Sequence, residues 1–527
     1  MRCPNELESF RRLPLALAML SISAASGAQS LSLVPTASVT QTLTDNYRLA
    51  PSGRAESITQ FSPGISLANR GGRVQGFLNY SLNALVYVRD STANNFQNSL
   101  NASMRAEALE RWLFVDAAAS ITQQSISALG RPAGDPGIVN SNSTEVMTWR
   151  VSPYVTGSVP GVAVYDLRFG LSGTRGGAAN SFDSTVTQAS VRLGSDRSLS
   201  RLRWNLGASH QLSDFSASRQ TQSTRYDAGI GYELSRVFRL TASAGHESSD
   251  YASTAAASRN VVSLGLGWTP NPDLDLSFQA SRDGVENITL NWSPTVRTRL
   301  TAQRARQLYG NTHSLSFEHR MPRSVWRLSD TRSVVSSSGP LATGSRGSTY
   351  DLYFTQFASL EPDPVKREQL VNEFLLASGI SPAPPAGSGF LTTAASLQRR
   401  QEASFALLGV LTTVTFTASS TEGQRLDAVS TVADDLANGN NLRQRSFSVA
   451  VAHRLTPISS VNLAGTTQKS SASVSGQQSE LRSLNLTWAS RLTRNGNATI
   501  TLRRAEFDSP LSPYNENAVV ATLGWRF

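Results

Sequence analysis

The sequence predicts an all-β fold: a single large closed antiparallel β-barrel that spans a membrane. Three observations predict it. Apolar and small polar residues alternate with period two along most of the chain, the connections alternate short and long, and the tryptophans gather at one end of the strands. Composition agrees. Charged residues make up 16% of the 527, below the roughly 25% of ordinary soluble domains, while mean hydropathy is only −0.22. Low charge with low hydrophobicity suits strands that face lipid on one side and water on the other.

The first 28 residues read as a signal peptide. Arg2, Arg11 and Arg12 form a basic start, Leu13–Ile22 an apolar stretch, and Ser26-Gly27-Ala28 a small-residue cleavage site. The one cysteine, Cys3, lies inside this segment. The mature chain, 29–527, therefore has no disulfide, thiol nucleophile or thiolate metal site. Beyond Gln29 no run approaches the roughly 18 apolar residues of a membrane helix. An exported chain of this kind crosses a membrane as a closed barrel, where every backbone group is paired between strands.

The strands follow in order. Leu78, Tyr80, Leu82, Ala84, Val86 and Val88 share one face. Tyr165, Leu167, Phe169 and Leu171 alternate with Asp166, Arg168, Gly170 and Ser172. Val262, Leu264, Leu266 and Trp268 alternate with Ser263, Gly265 and Gly267, and Leu484, Leu486 and Trp488 with Ser483, Asn485 and Thr487. Short turns are expected at Asn69–Arg73, Val159–Gly161, Thr269–Asp273, Ser293–Thr295, Met321–Arg323, Leu455–Ile458 and Leu492–Gly496, with longer polar loops such as Ser125–Glu145 and Glu422–Asn441 between them. The tally is about 24 strands, within roughly 18 to 26, and even-numbered as bacterial single-chain barrels are.

Leu-x-Trp closes strands at Trp268, Trp292 and Trp488, whereas Trp112, Trp204 and Trp326 open them and Trp525 lies in the last strand. All seven would form an aromatic girdle at one interface, since the indole has an apolar body and an N–H that seeks water. Val519, Ala521, Leu523, Trp525 and Phe527 make one face of the last strand. Its terminal aromatic, Phe527, is similar to the C-terminal signal that barrel-insertion machinery reads. One segment breaks the β pattern: a helix over 363–379, capped by Asp363 with Pro364 in its first turn and ended by Gly379. It sits in a long connection, 338–395, and either enters the lumen or caps the outer mouth.

Chemistry is sparse. The five histidines, His210, His246, His313, His319 and His453, lack metal-ligand spacing. No nucleophile elbow, P-loop or zinc-protease motif occurs. No cofactor is expected and the chain is not read as an enzyme. The net charge of +10 comes from scattered arginines, which argues against nucleic acid. Arg168, Arg201, Arg203, Arg239, Arg299 and Arg503 fall opposite the apolar stripe and are the candidate lumen-lining residues. There they either attract anionic groups or pair with lumen carboxylates.

Three stretches carry a resemblance: LSLVPTASVTQTLTDNYRLA (Leu31–Ala50), ITQFSPGISLANRGGRVQGFLNYSLNALVYVRD (Ile58–Asp90) and NASMRAEALERWLFVDAAASITQQSISALG (Asn101–Gly130), joined by DPVKREQLVNEFLLASGI (Asp363–Ile380). The chain resembles the PEP-CTERM-system-associated outer-membrane proteins over most of its mature length. The resemblance implies a barrel of the Gram-negative outer membrane, in cells whose exosortase system accompanies exopolysaccharide production. It carries over no catalytic or ligand residues. The expected partners are outer-membrane lipid and the barrel-insertion machinery, with an anionic polysaccharide as candidate cargo. The leading function is a channel or an export or assembly component for exopolysaccharide or matrix. The alternatives are a structural or surface-attachment barrel acting through its outer loops and, more weakly, an outer-membrane enzyme.

Overall fold

The computed structural model describes residues 31–527 except 70, 136, 177–182, 197–200, 216–218, 251–256, 336–338, 341–352, 355–356, 358–366, 369, 373, 376–390, 393–394, 427–434 and 437–440. The expected signal peptide, 1–28, lies outside the described residues.

Strands fill the chain: β1 (Leu31–Thr44), β2 (Glu56–Asn69), β3 (Val74–Tyr87), β4 (Asn95–Leu109), β5 (Leu113–Ser125), β6 (Ser143–Val159), β7 (Ala163–Gly176), β8 (Ser184–Ser195) and β9 (Leu202–Phe215). Next come β10 (Arg219–Glu233), β11 (Phe238–Asp250), β12 (Ala257–Asn271), β13 (Leu274–Ser281), β14 (Gly284–Thr295), β15 (Thr298–Gln307), β16 (Gly310–Arg320) and β17 (Ser324–Val335). A two-residue pair, β18 (Gly339–Pro340) and β19 (Leu391–Thr392), precedes β20 (Ser396–Leu408), β21 (Thr412–Arg425), β22 (Asn441–Thr456), β23 (Ser459–Ala472), β24 (Gln478–Arg491), β25 (Gly496–Asp508) and β26 (Tyr514–Arg526).

Apart from the β18–β19 pair, the strands form one 24-stranded sheet. Each strand pairs antiparallel with its neighbours, β17 pairs with β20, and β1 pairs with β26 from Thr36↔Arg526 to Thr44↔Ala518. The sheet thus closes on itself and has no free edge, as strands in lipid need. Strands spaced about 4.8 Å apart and tilted about 40° would give a round barrel about 48 Å across.

The alternation in the sequence sets the two faces. Val262 and Leu264 are 72% and 70% exposed while Ser263 between them is 4% exposed. Leu167, Phe169, Leu206, Ile230, Leu240, Leu486 and Leu502 are likewise outward and exposed. The connections sort by end. At the end that carries both Leu31 and Phe527 they are short: 110–112, 160–162, 272–273, 321–323, 409–411 and 457–458. The turn expected at Ser293–Thr295 lies at 296–297, because β14 continues past a register shift between Trp292 and Thr295. The opposite end carries 45–55, 126–142, 336–395 and 426–440.

Candidate functional site

The site is the lumen, and inward parity decides what lines it. The hydroxyl pairs Thr40–Thr522 (2.9 Å), Ser120–Thr148 (2.7 Å), Ser243–Ser263 (2.7 Å) and Thr487–Thr501 (3.0 Å) bridge neighbouring strands on the inner face. Of the expected arginines, Arg168 stands 3.7 Å from Asp116, with its guanidinium over the Tyr154 ring at 4.2 Å. Arg203 pairs with Glu233 at 2.8 Å and Arg239 with Asp275 at 3.7 Å. Arg299 is opposite Glu318 in the β15–β16 register. Arg503 is 7% exposed and joins Glu516 (2.8 Å) and Asp135 (3.5 Å). Arg201 differs from the expectation. It lies in the turn before β9, where its carbonyl accepts from the Glu233 N–H at 2.9 Å, because β9 begins one residue later.

One side of the lumen is closed. The 126–142 connection folds inward, and Ile138 packs with Ile58, Leu85, Tyr87, Leu481, Phe507 and Tyr514. Tyr87 and Tyr514 donate their hydroxyls to the Gly137 and Pro132 carbonyls at 2.7 and 2.6 Å. Ser127 donates to Asp435 at 2.7 Å, and Ala128 packs with Leu436, Leu442 and Ala472. Ala128 is three residues past β5, a reach of at most about 10 Å. In a round barrel β5 and β23 would stand about 40 Å apart, so the cross-section is flattened and the two walls approach each other here. Leu391 against Val146 of β6 extends the same seam.

The β17–β20 connection also enters the lumen. Residues 353–354, 367–368, 370–372 and 374–375 are helical; Asp363, Pro364 and Gly379 lie outside the described residues. Tyr353, Phe357, Val371 and Leu375 pack on Val325, Ala406 and Ala452 of the inner wall. Those wall residues sit next to the short turns, so the described part of the segment lies near the short-turn mouth. The Tyr353 hydroxyl bonds Thr415 at 2.6 Å, and burial pushes its pKa up to about 12.

Two recesses among the described residues border the inner wall. A recess of about 360 Å³ on the β10–β17 side holds Arg225, Asp227, Glu247, Arg259, Glu286 and Gln303. Arg225 pairs there with Asp227 at 3.8 Å and Arg259 with Glu286 at 3.1 Å. A second recess, of about 490 Å³, opens under Phe374 at the short-turn mouth and is lined by Arg454, Arg491, Arg494, Asn497 and Arg526. These four arginines were not singled out from the sequence. The signal was there: each lies within two residues of a short turn or of the chain end, and Arg454, Arg491 and Arg526 have inward parity.

Outside, the seven expected tryptophans share one rim. Trp204, Trp326 and Trp525 lie within three residues of a strand end, Trp268, Trp292 and Trp488 within four, and Trp112 in a turn, all at the short-turn end. Trp149 is the seventh residue of β6 from its long-loop end. Its indole lies over Gly173, where an added Cβ would come within 2.6 Å of Nε1. Between the two levels the outer face is apolar. The chain is a transmembrane β-barrel. Phe527 closes it, donating its N–H to the Pro35 carbonyl at 2.9 Å.

No protein-family model matches the chain, and no curated protein matches it. Among solved structures it is similar to the FrpB iron transporter from Neisseria meningitidis, at 11% identity and TM-score 0.44, covering 94% of this chain and 82% of that one. It is also similar to the siderophore receptor PirA from Pseudomonas aeruginosa, at 9% identity and TM-score 0.39, covering 95% and 82%. A third is Pseudomonas aeruginosa OpdK, solved with vanillate, at 8% identity and TM-score 0.34, covering 94% and 99%.

Proposed function

We propose that this barrel is a gated conduit of the Gram-negative outer membrane, carrying exopolysaccharide or matrix material in a PEP-CTERM exosortase setting. The observation that carries the conduit is that described residues of the β17–β20 connection lie inside the barrel and pack on its wall through Tyr353, Val371 and Leu375. A 24-stranded barrel needs filling or it stays open, and a connection held to the wall by side-chain contacts, here the Tyr353 cluster, the Tyr353–Thr415 hydrogen bond and Leu391 against Val146, is a filling that can leave. Short connections at the end bearing the termini and long ones opposite match the outer-membrane layout. The inner hydroxyl ladders suit a cargo rich in hydroxyl groups. With Arg168, Arg203, Arg239 and Arg503 each beside a carboxylate, anion selectivity is weak and fades as salt screens it.

The test is single-channel recording in planar bilayers, on the intact protein and on a variant lacking 338–395. Small conductance in the first and at least about 10-fold more in the second are expected, from the widths of open and plugged barrels. A silent deletion variant, or cation selectivity in both proteins, removes the conduit. The second reading, a structural or surface-attachment barrel, would then stand on the closed side of the lumen, where Ala128, Leu436 and Leu442 join opposite walls.

A further inference from the structure

The recess at the short-turn mouth has a chemistry that the rest of the lumen lacks. Elsewhere an inward arginine generally faces a carboxylate. Here Arg454 of β22, Arg491 of β24 and Arg526 of β26 project inward on alternate strands, with Arg494 in the 492–495 turn, around one space of about 490 Å³. All four are exposed to that space, and none forms an ion pair among the described residues. No Asp or Glu lines the recess; Asn495, Asn497, Thr499 and Ser459 do. Guanidinium forks bind carboxylate or phosphate through paired N–H donors, and amides and hydroxyls beside them recognise neutral hydroxyl groups. The roof of the recess is Phe374, from the segment that fills the lumen.

We infer that this recess is a binding site for an acidic saccharide, a ligand carrying both carboxylate or phosphate groups and hydroxyls. It is placed where such a polymer would meet the barrel from the side of the chain termini. The inference names the cargo class for the proposed conduit and rests on that reading for its role, while binding itself can be measured without transport. An occupant would lie against Phe374, so occupancy and displacement of the plugging segment are coupled through direct contact.

The probe is a hexauronate, with maltohexaose as the neutral hexasaccharide control, titrated calorimetrically into the full-length protein in detergent. Hexauronate should bind, weakening as salt rises, and maltohexaose should bind at least about 10-fold less tightly, the difference expected from charge-assisted hydrogen bonds. Two double variants, Arg454→Gln with Arg491→Gln and Arg494→Gln with Arg526→Gln, should each weaken hexauronate binding by about 10-fold or more. Both are checked for heat-modifiable migration, and Arg494→Gln alone, in an exposed turn, covers the case in which a double variant misfolds. Equal binding of the two hexasaccharides, no binding of hexauronate, or unchanged affinity in the folded variants overturns the site. Loss of hexauronate binding in the variants beside a silent 338–395 deletion would keep the site and discard the conduit.

Discussion

The two sides of the lumen are made of the same alternating strands, yet one is a core and the other a wet wall. Around β1–β3 and β22–β26 the inner positions Ile58, Leu85, Leu481, Phe507 and Tyr514 are apolar and buried. Around β10–β15 the matching positions are Arg225, Asp227, Glu247 and Gln303, and they border open space. The difference lies in what the connections bring. Residues 126–142 and 435–436 carry Ile138, Ala128 and Leu436 inward, so the strands facing them gain from apolar inner residues. No inward connection of that kind is described on the other side, and those strands keep polar groups for water. A barrel wall is thus two-faced only where its lumen is wet; where it folds onto itself it is built like a sandwich.

The largest expected effect breaks the closed side outright. Deleting 514–527 removes β26 and leaves β1 and β25 with unpaired edges in lipid. Heat-modifiable, membrane-inserted protein should then disappear, and normal insertion would show that the β1–β26 seam does not close the barrel. Next is Phe507→Ala, which empties space in the cluster with Tyr514 and should cost about 3–5 kcal/mol in denaturant unfolding from detergent. Val261→Ala, on the rim of the open recess, should cost about 0.5 kcal/mol or less. Equal costs would mean that the two sides do not differ in packing.

A smaller comparison sets two ion pairs against each other. Arg503 is buried between Glu516 and Asp135, whereas Arg239 and Asp275 are both partly exposed at 3.7 Å. Glu516→Gln should cost about 2–3 kcal/mol, the worth of a hydrogen bond to a charged group left with weaker partners. Asp275→Asn should cost about 0–1 kcal/mol. The same unfolding measurement reads both, and a larger loss at Asp275 would invert the comparison.

The two faces of the strands were legible in the sequence on both sides, and the contacts that close one side were not. Val262 to Trp268 and Leu484 to Trp488 show their two faces within a few residues, because a strand's period is local. Trp268, Trp292 and Trp488 place the rim for the same reason. The packing of Ala128 on Leu436, or of Leu391 on Val146, joins residues hundreds apart through segments without periodicity, so no local pattern could announce it. Parity placed Arg168, Arg203, Arg239 and Arg503 on the inner face but could not show the carboxylates beside them, because register between strands is not written in either strand alone. Arg201 shows the limit of parity at a strand end, where one residue separates a wall position from a turn.

The smallest expected effect concerns the loops over the closed side. Asp90, in the 88–94 connection, accepts hydrogen bonds from Thr92, the Tyr47 hydroxyl and Arg48. These bonds, Thr92's first, hold its carboxyl well below the usual carboxylate range. A carboxyl whose folded value is depressed stabilises the folded loop above its unfolded pKa, about 4, and that stabilisation is lost as pH falls toward the folded value. Tyr47 anchors 45–55 into the core through contact with Leu49 and Ile138, so its release should loosen this loop before the barrel itself opens. Limited proteolysis between pH 7 and pH 3, with an acid-active protease, should show cleavage within 45–55 rising below about pH 4. Asp90→Asn should show the higher cleavage already at pH 7 and little further change. The 282–283 and 308–309 turns of the open side are only two residues long and should stay uncut throughout. Cleavage that rises equally in Asp90→Asn and the parent would assign the pH response to other carboxylates and remove Asp90 from the latch.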